Sequence, residues 1–184
     1  AQTDKVTDYV KITVKDYGDI VIRLRPDVAP QSVKNFQKLV KEGHYSGKIF
    51  HRVIQEFMIQ GGAFDGTGQQ HSASSITGEF ETNGFVNNLK HVRGVISMAR
   101  NSISMDSASS QFFIMHQDAP HLDGQYAAFG KVTSGMEVVD AIAATRTGMQ
   151  DRPIEEQKIA SMTVDTKGET YPEPKKLQDP YGRF

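Results

Sequence analysis

The stretch from Lys48 to Phe64 constrains the fold more than any other part of the chain. Two apolar runs, Ile49 to Ile54 and Phe57 to Gln60, are each of strand length and are parted only by Gln55-Glu56, a spacing that predicts a β-hairpin rather than one helix. Arg52 lies inside the first run. A guanidinium keeps its proton in a protein and presents a rigid fork of donors, so placing one among Phe50, Ile54, Phe57 and Met58 is costly unless those donors are used. Two readings stay open. The stem can lie on apolar surface with the head in water, or the head can face a binding groove. Gln60-Gly61-Gly62, which closes the second run, favours the groove, because missing side chains let another backbone approach closely.

These residues carry a resemblance. Phe50-His51-Arg52-Val53-Ile54 with Phe57-Met58-Ile59-Gln60-Gly61-Gly62 resembles the central signature of the cyclophilins, the peptidyl-prolyl cis-trans isomerases. Two further blocks in the same order look like the family's other signatures. One is Gly94 to Arg100 with Ser107 to Ile114; the other is Leu122-Asp123-Gly124 with Phe129-Gly130-Lys131-Val132. The resemblance runs from about Tyr9 to Val164 and is closest to bacterial-like members.

The chain's length of 184 residues suits one domain able to bury its own core. A hydrophobic share of 38% and no apolar run of membrane-spanning length read as an ordinary globular protein, with no membrane partner expected. A net charge of −1 gives no electrostatic reason to expect nucleic acid as a partner. The lack of cysteine excludes disulfides and thiolate metal sites and fits a reducing compartment. Ala1 to Lys5 show no basic, apolar, small-residue order, so a cytoplasmic location is expected, with an extracytoplasmic one as the alternative if a leader was removed before Ala1.

Along the chain, residues 1–8 read as a polar extension, 9–166 as the domain, and 167–184, with prolines at 172, 174 and 180, as a tail. Val10, Ile12 and Val14, then Ile20, Ile22 and Leu24, alternate with polar residues and predict two hairpin strands. Pro26 and Pro30 precede a helix with Val33, Phe36, Leu39 and Val40 on one face, stopped near Gly43. Asp65 to Gly78 reads as a long surface loop, and Glu79 to Leu89 as holding a short strand. Strands are expected within Val92 to Ala99, Gln111 to Met115, Tyr126 to Val132 and Lys158 to Val164, with a second helix from Ser134 to a stop at Gly148. Many short strands and two helices fit a mainly β fold with a closed antiparallel sheet, whose strand order periodicity does not supply. The resemblance implies that order: an eight-stranded β-barrel capped by two α-helices.

The resemblance also implies a function. Turning a peptide bond costs about 18–20 kcal/mol because the nitrogen shares its lone pair with the carbonyl, and an isomerase has to favour the twisted amide without cofactor, metal or nucleophile. By resemblance Arg52 hydrogen-bonds the prolyl nitrogen as it becomes pyramidal, and Gln60 fixes Arg52 and substrate backbone. Phe57, Met58, Phe113 and Leu122 hold the proline ring by the same resemblance, whereas sequence alone favours core packing for them. Ala99, Arg100 and Gln111 match the groove for flanking peptide, and His51, His121 and Tyr126 complete the candidate set. Arg100 stands at a frequent asparagine and is expected to favour acidic residues near the proline. His121 replaces a tryptophan common in animal members, so binding of cyclosporin-type ligands is expected to be weakened. Gln55-Glu56 replaces a common Pro-Gly. The expected partners are proline-containing peptides and unfolded or folding proteins, served by a monomer with a chaperone role.

Other classes are poorly served. Gly66-Thr67-Gly68 lacks the Lys-Ser/Thr of a P-loop and the third glycine of a dinucleotide fingerprint. No HExxH or Gly-x-Ser-x-Gly occurs, which argues against a metal or serine hydrolase. The remaining rival is a module that binds proline peptides without turnover.

Overall fold

Alternation of apolar and polar residues lays down the first hairpin, β1 (Tyr9–Val14) and β2 (Gly18–Leu24), in the computed structural model, which describes residues 9–165 apart from 68, 71, 72, 74, 102 and 156. The expected N-terminal extension and C-terminal tail therefore lie outside the described residues. Helix α1 (Pro30–Lys41) starts on Pro30, whose missing N–H costs nothing there, and buries Val33, Phe36, Leu39 and Val40. The organising stretch forms β3 (Arg52–Ile54) and β4 (Met58–Gly61), followed by β5 (Val95–Met98), β6 (Phe112–Met115), β7 (Ala128–Ser134), helix α2 (Met136–Ala143) and β8 (Ile159–Asp165).

The strands form one antiparallel sheet in the order β3-β4-β6-β5-β7-β2-β1-β8. The fold is mainly β, with the sheet curled into a half-barrel and two helices packed against it. Among the described residues β3 and β8 do not pair as strands, so the expected closed barrel is not what the strand ladders form. The segments beside them do meet: Ile49 bridges Lys158, and Phe50 N donates to Gln157 O at 2.9 Å. This is why β3 begins at Arg52 rather than at Ile49.

Strand alternation divides the apolar residues into two layers. On the inner face, Phe36 packs against Tyr45, Phe112 and Phe129 with ring centroids 5.2, 5.5 and 5.1 Å apart. Each such buried ring contributes about 1.5–3 kcal/mol from burial alone. Ile59, Ile96, Met98 and Ile114 join this layer. On the outer face Met58, Val95, Phe113, Met115, Leu122 and Ala128 make a second cluster. β5 and β6 are buried on both faces, so β6 reads as a continuous apolar run and β5 as one interrupted only by Ser97.

Three expectations need correction. Residues 79–89 hold no strand but a single turn of 3₁₀ helix, Glu81–Asn83. The Asn83 amide donates to Gly78 O and to Asp106 Oδ1, supplying local partners in place of a ladder. Within 65–78, Ile76 is fully buried and bridges Ala108, so that segment is partly woven into the core rather than lying over it. Helix α2 starts after Gly135 and ends at Ala143, short of Gly148. Gly135 has φ +92°, and a Cβ there would lie 2.2 Å from Asp19 O, so β7 runs to Ser134 and breaks sharply. Among the described residues no helix is long and apolar enough to cross a membrane.

Candidate active site

Register carries the site across the sheet. Arg52 on β3 faces Gln60 on β4, Gln60 faces Phe113 on β6, and Phe113 faces Ser97 on β5. Directly opposed residues share a face, so this row lies on the outer wall. Met58, two residues along β4 from Gln60, shares that face. The Arg52 guanidinium is exposed at one end of the row and Phe113 is buried further along it, so cation and apolar floor stand on one continuous surface.

Between them is a pocket of about 100 Å³ lined by Arg52, Phe57, Met58, Gln60, Ala99, Arg100, Phe113, Leu122 and Tyr126. Arg52 Nη1 donates to Gln60 Oε1 at 3.4 Å, and Gln60 Nε2 donates to Gln111 Oε1 at 2.9 Å. The chain of amides fixes which end of Gln60 faces the guanidinium. Phe113 meets Tyr126 edge to face, centroids 5.6 Å apart, and Leu122 comes from a single 3₁₀ turn, Pro120–Leu122, that brings it over the floor.

All nine lining residues belong to the candidate set read from the sequence. The other three are placed differently. Gln111 acts from behind, through Gln60. His121 is exposed at the rim with its ring tilted on Phe57, centroids 5.7 Å apart. His51 does not enter the pocket. It turns to the other side of the sheet, meets the Phe64 ring at a tilt of 55° with centroids 4.6 Å apart, and lines a second hollow of about 460 Å³ with Arg52, Phe64, Asp151 and Arg152. Burial, helped by the neighbouring Arg152 and Arg52, holds its imidazole down at about 4, so it is neutral at pH 7.

Arg100 forms a fixed wall of the pocket. Its Nε donates to Gln125 O at 3.0 Å and Nη1 to Asn101 O at 3.1 Å, while the guanidinium sits 5.1 Å from the Phe80 ring and 4.7 Å from the Tyr126 ring. The unusual turn is accommodated locally: Glu56 takes φ +65°, the left-handed region, and its N–H donates to His116 Nδ1 at 2.8 Å.

Sequence reasoning missed the layer behind the pocket. His91 is buried and stacks on Phe113, and its two ring nitrogens lie 3.1 Å from Asp123 Oδ1 and 2.9 Å from Ser97 Oγ. Nothing in the sequence marks these three as a group, since each is an ordinary residue in a different segment.

The family model described as "Cyclophilin type peptidyl-prolyl cis-trans isomerase/CLD" matches residues 9–164. The chain belongs to the cyclophilins. A peptidyl-prolyl cis-trans isomerase of Arabidopsis thaliana is 43% identical over 148 residues, covering 80% of this chain and 90% of that protein. One from Schizosaccharomyces pombe is 43% identical over 143 residues, covering 77% and 90%. Among solved structures, a Cryptosporidium parvum cyclophilin-type isomerase crystallised in the presence of the dipeptide Ala-Pro superposes with a TM-score of 0.75 at 31% identity, over 85% of this chain and 98% of that one. The enzyme is thus a cyclophilin-type peptidyl-prolyl cis-trans isomerase.

Proposed function

We propose that this cyclophilin turns X-Pro bonds in the pocket beside Arg52, with the proline ring on Met58, Phe113, Leu122 and Phe57, and the guanidinium donating to the prolyl nitrogen. The observation that carries this is a permanently charged donor at the rim of a hollow of about 100 Å³ floored by Met58, Phe113 and Leu122, with Gln60 beside it. A planar amide nitrogen has little electron density to offer. Once the bond twists, the lone pair returns to nitrogen, so a donor aimed there binds the transition state in preference to either planar form. A rate gain of about 10⁵ needs roughly 7 kcal/mol, of which one charge-assisted hydrogen bond supplies about 1.5–3 kcal/mol and further hydrogen bonds with apolar contacts to the proline ring supply the rest. That a relative was crystallised in the presence of Ala-Pro supports proline-containing peptides as substrates.

The test is NMR exchange on an Ala-Pro peptide. Arg52→Ala is expected to lower turnover by about two decades while peptide affinity and melting temperature hold, as for loss of a contact made only in the transition state. Equal loss of affinity and rate would reduce Arg52 to a binding residue.

The same pocket, open on the outer wall, supports action on unfolded and folding chains. For cyclosporin-type ligands the expectation is weak binding, because His121 offers Phe57 a smaller apolar partner than the tryptophan common in the family. Full closure of the sheet is supported by the bridges joining residues 48–50 to 157–159, which would seal it beside β3 and β8.

A further inference from the structure

Behind the proline pocket, one buried residue joins its floor to its rim. His91 makes bonds from ring and backbone together. Its N–H donates to Asp123 Oδ1 at 2.6 Å, its carbonyl accepts Ala119 N–H at 2.8 Å, and its ring reaches both Asp123 and Ser97. Ala119 O in turn accepts Leu122 N–H, and Leu122 O accepts Gln125 N–H. The segment bearing Leu122 and Tyr126 is thus tied to His91 at both Ala119 and Asp123. The ring lies parallel to Phe113 within 19°, centroids 6.0 Å apart, and meets Tyr126 near right angles at 6.5 Å. Ser97, at the far end of the relay, is the residue opposite Phe113 on β5.

The bonding fixes the tautomer. An ionised carboxylate can only accept, so His91 Nδ1 carries the proton, Nε2 is left an acceptor, and the Ser97 hydroxyl donates to it. Burial keeps the imidazole below its usual range, consistent with the neutral ring this chain of bonds needs.

We propose that His91, locked by Asp123 and Ser97, is a positioning residue for the isomerase: a rigid plate behind Phe113 that sets the wall of the proline pocket and registers the Leu122–Tyr126 segment against it. It rests on the pocket assignment above, and touches no substrate itself. A wall displaced by about 1 Å loses rate and binding together, up to about a hundred-fold.

Two measurements test it. The ¹⁵N spectrum of the intact wild-type protein at pH 7 should show the His91 ring protonated at Nδ1 alone; the Nε2-protonated form overturns the relay. In the exchange assay, Asp123→Ala should lower kcat/KM about ten-fold or more, with affinity and turnover falling together, unlike Arg52→Ala, and Asp123→Asn, whose amide oxygen still accepts, should recover most of the loss. Phe113→Ala combined with Asp123→Ala should lose clearly less than the sum of the two single losses, the remainder coming from the Leu122–Tyr126 segment. Additive losses, or a lower melting temperature with undiminished kcat/KM, overturn the proposal. If wild type failed to accelerate exchange, the pocket reading would fall, while the ring spectrum would still decide the relay.

Discussion

His51 immediately precedes β3, and Arg52, the strand's first residue, borders both the proline pocket and the hollow that His51 lines. Alternation sends Arg52 toward the proline pocket and His51 against Phe64, where its Nδ1 is buried without a hydrogen bond. Its depressed affinity for a proton fixes the sign of a pH effect. The folded state binds the proton at about 4, the unfolded chain near 6.5, so the contribution is whole above 6.5 and is lost as pH falls from there toward 4. Allowing for solvent screening of a half-buried ring, we expect about 2 kcal/mol at stake. Urea midpoints at pH 7 and pH 5 should fall further apart for wild type than for His51→Phe, which keeps the ring contact and cannot titrate. At this scale the sequence was informative through block similarity: eight of the nine pocket residues lie in three ordered motifs, and Tyr126 follows Leu122-Asp123-Gly124 at a position where relatives often have histidine. Met58 and Phe113 look like core by composition, and they are buried; only their face distinguishes them. The His91 relay was invisible because its members meet through tertiary folding alone.

Helix α1 shows how one element depends on a distant one. Ala29 offers its N-terminus no side-chain cap, and the vacancy is filled from the long connection after β4. Glu79 Oε1 accepts Ser32 N–H at 2.6 Å and the Ser32 hydroxyl at 2.8 Å, and Oε2 accepts Gln31 N–H at 3.1 Å. A negative group there also meets the positive end of the helix dipole. Glu79→Ala leaves buried donors unsatisfied and should cost about 1–3 kcal/mol by chemical denaturation, with Glu79→Gln intermediate. A change below a few tenths would mean that water replaces the carboxylate. The helix itself was legible from its apolar stripe and Pro30, but its cap was not, since periodicity has no means of linking residues 32 and 79. The strand expected within 79–89 fails for a related reason: the same segment spends its polar side chains on turns and on this cap.

For the whole molecule, the decisive arrangement is one sheet with two apolar faces. Phe112 and Phe113 are adjacent and point opposite ways, one into the aromatic cluster and the other to the pocket. Phe112→Ala should cost about 3–5 kcal/mol in urea unfolding, as expected when a large side chain is deleted from a core. Phe113→Ala opens onto an existing hollow and should cost less stability, yet lower kcat/KM by about ten-fold or more through the lost proline contact. Equal destabilisation by both would mean that the outer cluster is as integral to folding as the inner one. Strand order was beyond periodicity because short apolar strands look alike; family resemblance supplied what local pattern lacked.

A four-residue strand that serves both layers leaves β6 little freedom to evolve. Lengthening or shifting it by a single position would exchange the side chains of the interior with those that meet the client, forfeiting both roles at once. Diversification of client choice should therefore accumulate in the connections around the hollow, such as the Gln55-Glu56 turn and the Pro120–Leu122 corner, while the ribbon beneath them stays the same.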